Sequence, residues 1–266
     1  MMRTTAVLLL AIACLAGPSS ASAQMLIWNL PKDDGVWVRF EGAYKQTRAR
    51  PNSNAGDENL EWRSELTISS VGRETVDGRP SRWVEFKSIT KPNGLEQKPG
   101  PGDSYIYKVL IPEDRVIGKT VDAETIPITY LPIIKGWRKV GEREPQPVTE
   151  KALAIYPTIT LVTYYPDLKL EGEAEQLQVG GMAVSARLWK GERVLQTSTS
   201  RSTNAASLWL SDEVPFGLAR FQVTLTQEKK EVGASADEFR RASLTEVEMA
   251  VVATGNDSRS EIGQAE

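Results

Sequence analysis

Apolar and polar residues alternate with a period of two along most of the chain. In the segment LEWRSELTI, Trp62, Leu66 and Ile68 fall on one side of an extended backbone and the charged residues fall on the other. The same alternation occurs in GVWVRFEGAY, RWVEFKSI, LARFQVTLTQ and ASLTEVEMAVVAT. A period of two predicts strands with one dry face and one wet face, as in an antiparallel sheet.

Turn signals separate these segments at short intervals. Asp77-Gly78 predicts a two-residue hairpin turn between two of them. The segment SYIYKVLI carries large apolar residues at both alternating sets of positions, which predicts a strand covered on both faces. The pattern as a whole predicts a single, mainly β domain with a curved antiparallel sheet of about eight to ten strands.

Residues 148–166 depart from this pattern. Thr149 precedes a run that is typical of a capped helix start, and Pro157 interrupts that run. The β-branched run behind Pro157 fits a helix or a strand. We expect one or two short helices on the concave face of a half-barrel, with a closed barrel and a sandwich as alternatives. The apolar residues of this insert, including Leu153 and Ile159, are too many to be exposed, so they should pack on the dry face.

The stretch LWLSDEVPFG lies between two predicted strands. Asp212 can bond to nearby backbone, Pro215 fixes φ, and Gly217 permits a positive φ. With Phe216 folded back onto the sheet, these residues form a structural turn. The alternative, an acid/base pair of Asp212 and Glu213, is disfavoured because adjacent residues of an extended chain point to opposite sides.

The first 23 residues have the composition of a signal peptide. One positive charge, Arg3, precedes the apolar run AVLLLAIACLA, and Ala21-Ser22-Ala23 fits the small-x-small cleavage rule. This run is too short to span a bilayer. We expect cleavage after Ala23, a periplasmic or secreted protein, a β-rich domain over residues 24–255 and a polar tail over residues 256–266.

Two residue types limit the chemistry of the mature protein. The chain contains no histidine, and its one cysteine, Cys14, lies in the leader. This excludes Ser-His-Asp triads, cysteine nucleophiles and metal sites built from His or Cys. Cys14 also defines an alternative in which the protein is a lipoprotein, although the leucine usual in a lipobox is missing. We therefore predict no catalytic residue, no cofactor and no metal.

Charge and hydropathy limit the partners in a similar way. The formal net charge is -3 and the basic residues are scattered, so no nucleic-acid partner is expected. No later apolar run is long enough for a transmembrane span. Ser88 and Lys91 match the Ser-x-x-Lys pattern of serine acyl enzymes but lack its companion motifs. Asp33-Asp34-Gly35 suggests a calcium ligand set or, as we prefer, a solvated turn.

The order of these features resembles that of uncharacterised secreted proteins of the bacterial cell envelope. The resemblance lies in GVWVRFEG, YKVLIPEDRVIGKTVDA, ITYLPIIKGWRKVG and STNAASLWLSDEVPFGLARF. The plan is similar to the LolA-like half-barrel of lipoprotein carriers, in which a curved sheet wraps short helices around an apolar cavity. This resemblance implies a cavity for acyl chains, but a shared fold does not establish a shared function.

Three functions remain as hypotheses. The first is a non-catalytic carrier or sensor of an apolar, lipid-like ligand in the envelope. The second is a structural or protein-interaction module with an envelope protein as partner and no small-molecule ligand. The third is a carboxylate-dependent hydrolase. For the first, the dry face and the insert provide these candidate ligand-facing residues: Trp62, Leu66, Ile68, Leu153 and Ile159.

Overall fold

The computed structural model describes residues 26–51, 54–92, 104–113, 131–148, 152–153, 160–163, 165 and 167–263. Within them the chain is almost entirely β-structure. The strands are β1 (Trp37–Arg48), β2 (Glu58–Val76), β3 (Arg79–Pro92), β4 (Ser104–Pro112), β5 (Leu131–Pro132), β6 (Lys135–Val140), β7 (Gln146–Pro147), β8 (Ala152–Leu153), β9 (Lys169–Val179), β10 (Met182–Gln196), β11 (Ser200–Leu210), β12 (Leu218–Lys229) and β13 (Arg240–Gly255).

Eleven of these strands form one antiparallel sheet in the order β7-β6-β4-β3-β2-β1-β13-β12-β11-β10-β9, and β5 pairs with β8 separately. The sheet consists of two meanders joined where the first strand pairs with the last. At this seam Gly42 lies opposite Met249. A Cβ at Gly42 would lie 1.8 Å from the Glu248 carbonyl oxygen, so the close approach of β1 and β13 requires glycine.

One face of the sheet, the apolar face, holds the core. Cross-strand neighbours on this face include Phe40 opposite Leu66 and Phe221 opposite Met249, and all four side chains are buried. The rings of Phe40 and Phe221 lie 5.9 Å apart between centroids and bridge the seam. The two meanders therefore share a single hydrophobic core.

The sheet is curled but open. The loop between β9 and β10 approaches β13, although three strands separate β9 from β13 in the sheet, and a Cβ at Gly180 would lie 3.0 Å from the Val252 carbonyl oxygen. The two free edges are β7, a two-residue strand that contains Pro147, and β9. β9 carries a bulge at Gly172 between glutamates, and such charges and bulges discourage edge-to-edge association.

The expected mainly β, antiparallel sheet is confirmed and the strand number is corrected, whereas the short helices on the concave face are not confirmed, and residues 149–151, 154–159, 164 and 166 of the insert lie outside the described part of the chain. The sheet has eleven strands instead of eight to ten, because β6 and β7 lie in Pro-containing or charged segments without apolar alternation. In the described part of the chain no α-helix lies on the sheet, and the helical turns Pro215–Gly217 and Ala236–Glu238 are of 3-10 type. Ala152–Leu153 forms a strand instead of a helix because it pairs with Leu131–Pro132.

Two local predictions are confirmed. Asp77 and Gly78 both have positive φ, 51° and 75°, as a type I′ hairpin turn between β2 and β3 requires. In β4, every residue from Ile106 to Pro112 is buried, so both faces of this strand are covered. The described residues contain no helix with the length and apolar character needed to cross a lipid bilayer.

Candidate functional site

Three of the predicted ligand-facing residues, Trp62, Leu66 and Ile68, lie on the apolar face of β2 and are buried. Trp62 is 4% exposed, and Leu66 and Ile68 are 0% exposed. Leu153 lies in β8, whereas Ile159 falls outside the described residues. Leu66 and Ile68 belong to the main hydrophobic core, and Trp62 packs against Tyr44 with 5.2 Å between the ring centroids, so all three side chains are withdrawn from solvent.

The described segment of the predicted helical insert contributes Leu161, Val162 and Tyr165 to the core. Leu161 is 1% exposed, and its carbonyl accepts a hydrogen bond from the Asn204 side-chain amide at 2.9 Å. The Tyr165 hydroxyl donates to Asn204 Oδ1 at 2.7 Å. A Cβ at Gly191 would lie 2.6 Å from Tyr165 Cβ, so glycine makes room for the ring. The segment is therefore anchored on β10 and β11.

The stretch between β11 and β12 forms a buried turn. Phe216 is 0% exposed with φ 65°, and Gly217 has φ 82°. The Phe216 carbonyl accepts a hydrogen bond from the Trp28 backbone N–H at 2.9 Å, which ties the turn to the first described residues. Asp212 is exposed, whereas Pro215 begins the 3-10 turn. This geometry suits a structural role, and that role stays a prediction.

The structure gives no catalytic or metal-binding geometry to the Ser-x-x-Lys pattern or to the Asp-Asp-Gly segment among the described residues. Ser88 is buried on the apolar face, whereas Lys91 is exposed and three residues further along the same strand, so the two side chains point to opposite faces. The Asp34 carboxylate accepts a hydrogen bond from buried Arg82 at 3.0 Å, and Arg82 also pairs with Glu113 at 3.0 Å. Asp34 is thus engaged by an arginine that ties the loop before β1 to β3.

The opposite face, the polar face, displays a continuous row of residues that crosses eight strands. Each residue lies directly opposite the next on the neighbouring strand. From β3 to β9 this polar row comprises Lys91, Arg63, Ala43, Glu248, Gln222, Ser207, Lys190 and Lys169.

The polar row is the floor of a trough. Three depressions of about 710, 320 and 770 Å³ lie along it. The first and second share Ala43 and Glu248, and the second and third share Gln222 and Thr224, so they are continuous. Small side chains such as Ala43 and Ala205 leave the floor low, and charged side chains form the walls.

Like charges face each other at one end of the trough. Glu41 of β1 lies directly opposite Glu65 of β2, and Arg63 of β2 lies directly opposite Lys91 of β3. Directly opposed like charges destabilise a sheet. In the described structure the side chains of Glu65, Arg63 and Lys91 form no ion pair or hydrogen bond, and the Glu41 side chain pairs with Arg39 at 3.4 Å. Such an arrangement is unfavourable for the isolated fold and suits a charged partner.

A carboxylate-dependent hydrolase needs two carboxyl groups close together, and Glu41 and Glu65 meet that condition. A general acid requires a carboxyl group that is withdrawn from water. Glu41 is 50% exposed and lies beside Arg39, so it lacks that setting. The hydrolase stays a prediction without further support from this geometry.

A second site on the polar face is formed by residues 256–263, which we call the strap. The strap runs from the end of β13 across the sheet to β3 and β4. Trp37 Nε1 donates to Asp257 at 2.9 Å, and the Ser258 backbone N–H donates to the Gly35 carbonyl at 3.0 Å. These contacts fix the first part of the strap to the start of β1.

The end of the strap occupies a groove over β3 and β4. Glu85, 4% exposed, accepts hydrogen bonds from the Glu261 backbone N–H at 3.1 Å and the Ser260 hydroxyl at 2.8 Å. Lys108, 7% exposed, donates to the Ile262 carbonyl at 2.9 Å. Burial lowers the pKa of Lys108, and the negative charge of Glu85 acts in the opposite direction.

The strap groove also contains buried apolar residues and a lysine that pairs with an acidic residue of the strap. Ile262 is 1% exposed, and Ile106 and Leu110, on the same face of β4 as Lys108, are buried outside the main core. Lys87 Nζ pairs with the Glu261 carboxylate at 2.7 Å. The sequence analysis did not predict this groove. A signal was present, because Lys108 is a charged residue within a strand whose two faces were both expected to be covered.

Comparisons with known proteins add little to this geometry. The chain matches no protein-family model and no curated protein. Among solved structures, a predicted lipoprotein from Parabacteroides distasonis ATCC 8503 is similar over 85% of this chain and 97% of its own, with 10% sequence identity and a TM-score of 0.32. A similarity this weak carries no argument about fold or function.

Proposed function

We propose that this protein is an exported, non-catalytic protein-interaction module of the bacterial cell envelope, and that it binds a protein partner in the trough of the polar face. The opposed like-charge pairs in the trough carry this proposal. A surface that presents Glu41 with Glu65 beside Arg63 with Lys91 is complementary to a partner that offers both basic and acidic groups.

Two further features support a protein partner over a lipid. The trough is long, open and lined by charged and small residues, whereas lipid sites are predominantly apolar. The described side chains of the apolar face are packed against each other. The leader over residues 1–23 supports export to the periplasm or the exterior. A half-barrel carrier plan like that of lipoprotein carriers would instead use the apolar face.

Site-specific photocrosslinking in the native envelope tests the proposal. A photoreactive residue replaces Ala43 on the floor of the trough, and in a control variant it replaces Val232, which is 89% exposed in a loop away from the trough. We expect a discrete protein adduct at position 43, identified by mass spectrometry and absent at position 232. The adduct should disappear when Glu65 is changed to Lys, because the substitution reverses one charge of the acidic pair.

Three results would contradict the proposal. Equal adducts at both positions would mean that the trough has no specific partner. A lipid adduct at position 43 would instead support a carrier. An adduct that persists unchanged in Glu65→Lys would show that the opposed acidic residues do not contribute to recognition.

A further inference from the structure

The strap groove has features of a recognition site that exceed what is needed to hold a chain segment. Glu85 and Lys108 are charged and buried, and burying charge is costly unless each group is well bonded. Both form hydrogen bonds with backbone atoms of the strap: Glu85 accepts from the Glu261 N–H, and Lys108 donates to the Ile262 carbonyl. An apolar contact would anchor a segment without that cost.

The contacts divide into general and selective ones, as in known modes of peptide recognition. Glu85 accepts from a backbone N–H of the strap and Lys108 donates to a backbone carbonyl, at a bend over Glu261 and Ile262, so these two bonds do not depend on the side chains of the strap. Selectivity resides in the buried pocket for Ile262 and in the pairing of Lys87 with the Glu261 carboxylate. The Ser260 hydroxyl also donates to Glu85 at 2.8 Å, so the groove reads a hydroxyl, an acid and an aliphatic residue in that order.

Space beside the strap continues toward the trough. A depression of about 290 Å³ is lined by strap residues, including Asp257 and Glu261, and by Glu65 of the opposed acidic pair. A segment that entered the groove in place of the strap would thus have room for flanking residues directed at the trough. The groove and the trough share one wall.

We propose that the strap groove is a peptide-docking site, occupied by the strap in the free protein and taken over by a Ser-acid-aliphatic segment of the protein partner. This inference rests on the proposed function and names the chemistry of part of the partner. A second copy is disfavoured as the source, because exchange of straps would reproduce the contacts of the monomer and add only the entropic cost of association.

A labelled peptide tests the docking site in the full mature chain. The probe is a fluorescein-labelled peptide of residues 255–263, and the protein variant is Ile262→Asp, in which the strap loses its buried anchor. Fluorescence anisotropy should show saturable binding at least about tenfold tighter than to the wild-type protein, where the strap competes. A peptide with Asp in place of its own isoleucine is the matched control and should not bind.

A charge exchange tests whether the ion pair between Lys87 and the glutamate of the peptide contributes to binding in the groove. In the Ile262→Asp background, Lys87→Glu should weaken binding of the peptide about tenfold, and a peptide with Lys in place of its glutamate should bind this double variant again. If Ile262→Asp fails to fold, Glu261→Lys provides a second route, because it repels Lys87 and leaves the isoleucine in place. Failure of a folded variant to bind the peptide overturns the docking site.

The outcome is independent of the photocrosslinking result. Peptide binding without an adduct at position 43 would retain the groove and refute the trough as the interaction surface. An adduct without peptide binding would retain the trough and refute the groove.

Discussion

At the scale of single residues, opposed like charges on the polar face bear on the stability of the sheet. Glu65 lies opposite Glu41, whereas Glu61, four residues earlier on the same face of β2, lies opposite Lys45 and pairs with it at 3.9 Å. The same substitution at these two positions therefore has opposite effects on the fold. This contrast allows the cost of the acidic pair to be measured.

We expect Glu65→Lys to raise the free energy of unfolding by about 0.5 kcal/mol, because it replaces a repulsive cross-strand pair by an attractive one. Glu61→Lys should lower it by a similar amount, because it creates a like-charge pair with Lys45. Urea denaturation of the two variants and the wild type measures both changes. A loss of stability in both variants would mean that Glu65 is not in conflict with Glu41.

The turn residues show which backbone features are visible in a sequence. The order Pro-Phe-Gly predicts a turn, and Gly217 has the positive φ that glycine permits. Phe216 also has a positive φ, 65°, which no sequence rule predicts for an aromatic residue. Its ring is fully buried, so packing of the side chain compensates for the backbone strain.

Gly217→Val should lower the free energy of unfolding by about 2 kcal/mol or more. A β-branched residue is strained at φ 82°, and a Cβ would lie 2.8 Å from Trp28 Cβ. Asp212→Asn, at an exposed position of the same turn, should change stability by less than about 0.5 kcal/mol. Chemical denaturation measures both. If Asp212→Asn abolished an activity without unfolding the protein, the turn would have a catalytic role.

At the scale of elements, the long strands were predictable because their apolar residues alternate over many positions. The insert over residues 148–166 lies mostly outside the described residues, and in the short part that is described the local signals and the long-range contacts disagree. Thr149 and the residues after it are typical of a helix start, yet Ala152–Leu153 pairs with Leu131–Pro132. Pairing between distant segments overrides local propensity and leaves no trace in either segment alone.

The seam between β1 and β13 is the element contact on which both meanders depend. Gly42→Ala should lower the free energy of unfolding by about 3 kcal/mol or more, because the new Cβ would lie 1.8 Å from the Glu248 carbonyl oxygen. Ala43→Ser, at the next position on the polar face, should cost less than about 0.5 kcal/mol. Differential scanning calorimetry compares the two. Equal stability of both variants would show that β1 and β13 can move apart at Gly42 without a loss of stability.

At the scale of the whole molecule, the apolar face was predictable, whereas the trough and the strap groove were not. Periodicity places Trp62, Leu66 and Ile68 on a dry face, and all three are buried. The trough and the strap groove depend on strand order and on contacts such as that of Trp37 with Asp257, 220 positions apart in the chain. Periodicity assigns residues to faces, but only the pairing register shows which charged residues meet.

The carrier hypothesis makes a prediction that the packing of the apolar face opposes. If this face is filled, the mature protein should show no saturable binding of an acyl-chain fluorophore, and native mass spectrometry should find no co-purified lipid. Leu161→Ala should then cost about 2 to 4 kcal/mol, because Leu161 is 1% exposed and its removal leaves a cavity.

If the face instead opens for a ligand, the fluorophore should bind, and Leu161→Trp should block it by occupying the space. Saturable binding that Leu161→Trp abolishes would favour a lipid carrier over the interaction module. Absence of binding together with the loss of stability in Leu161→Ala would leave the polar face as the functional surface.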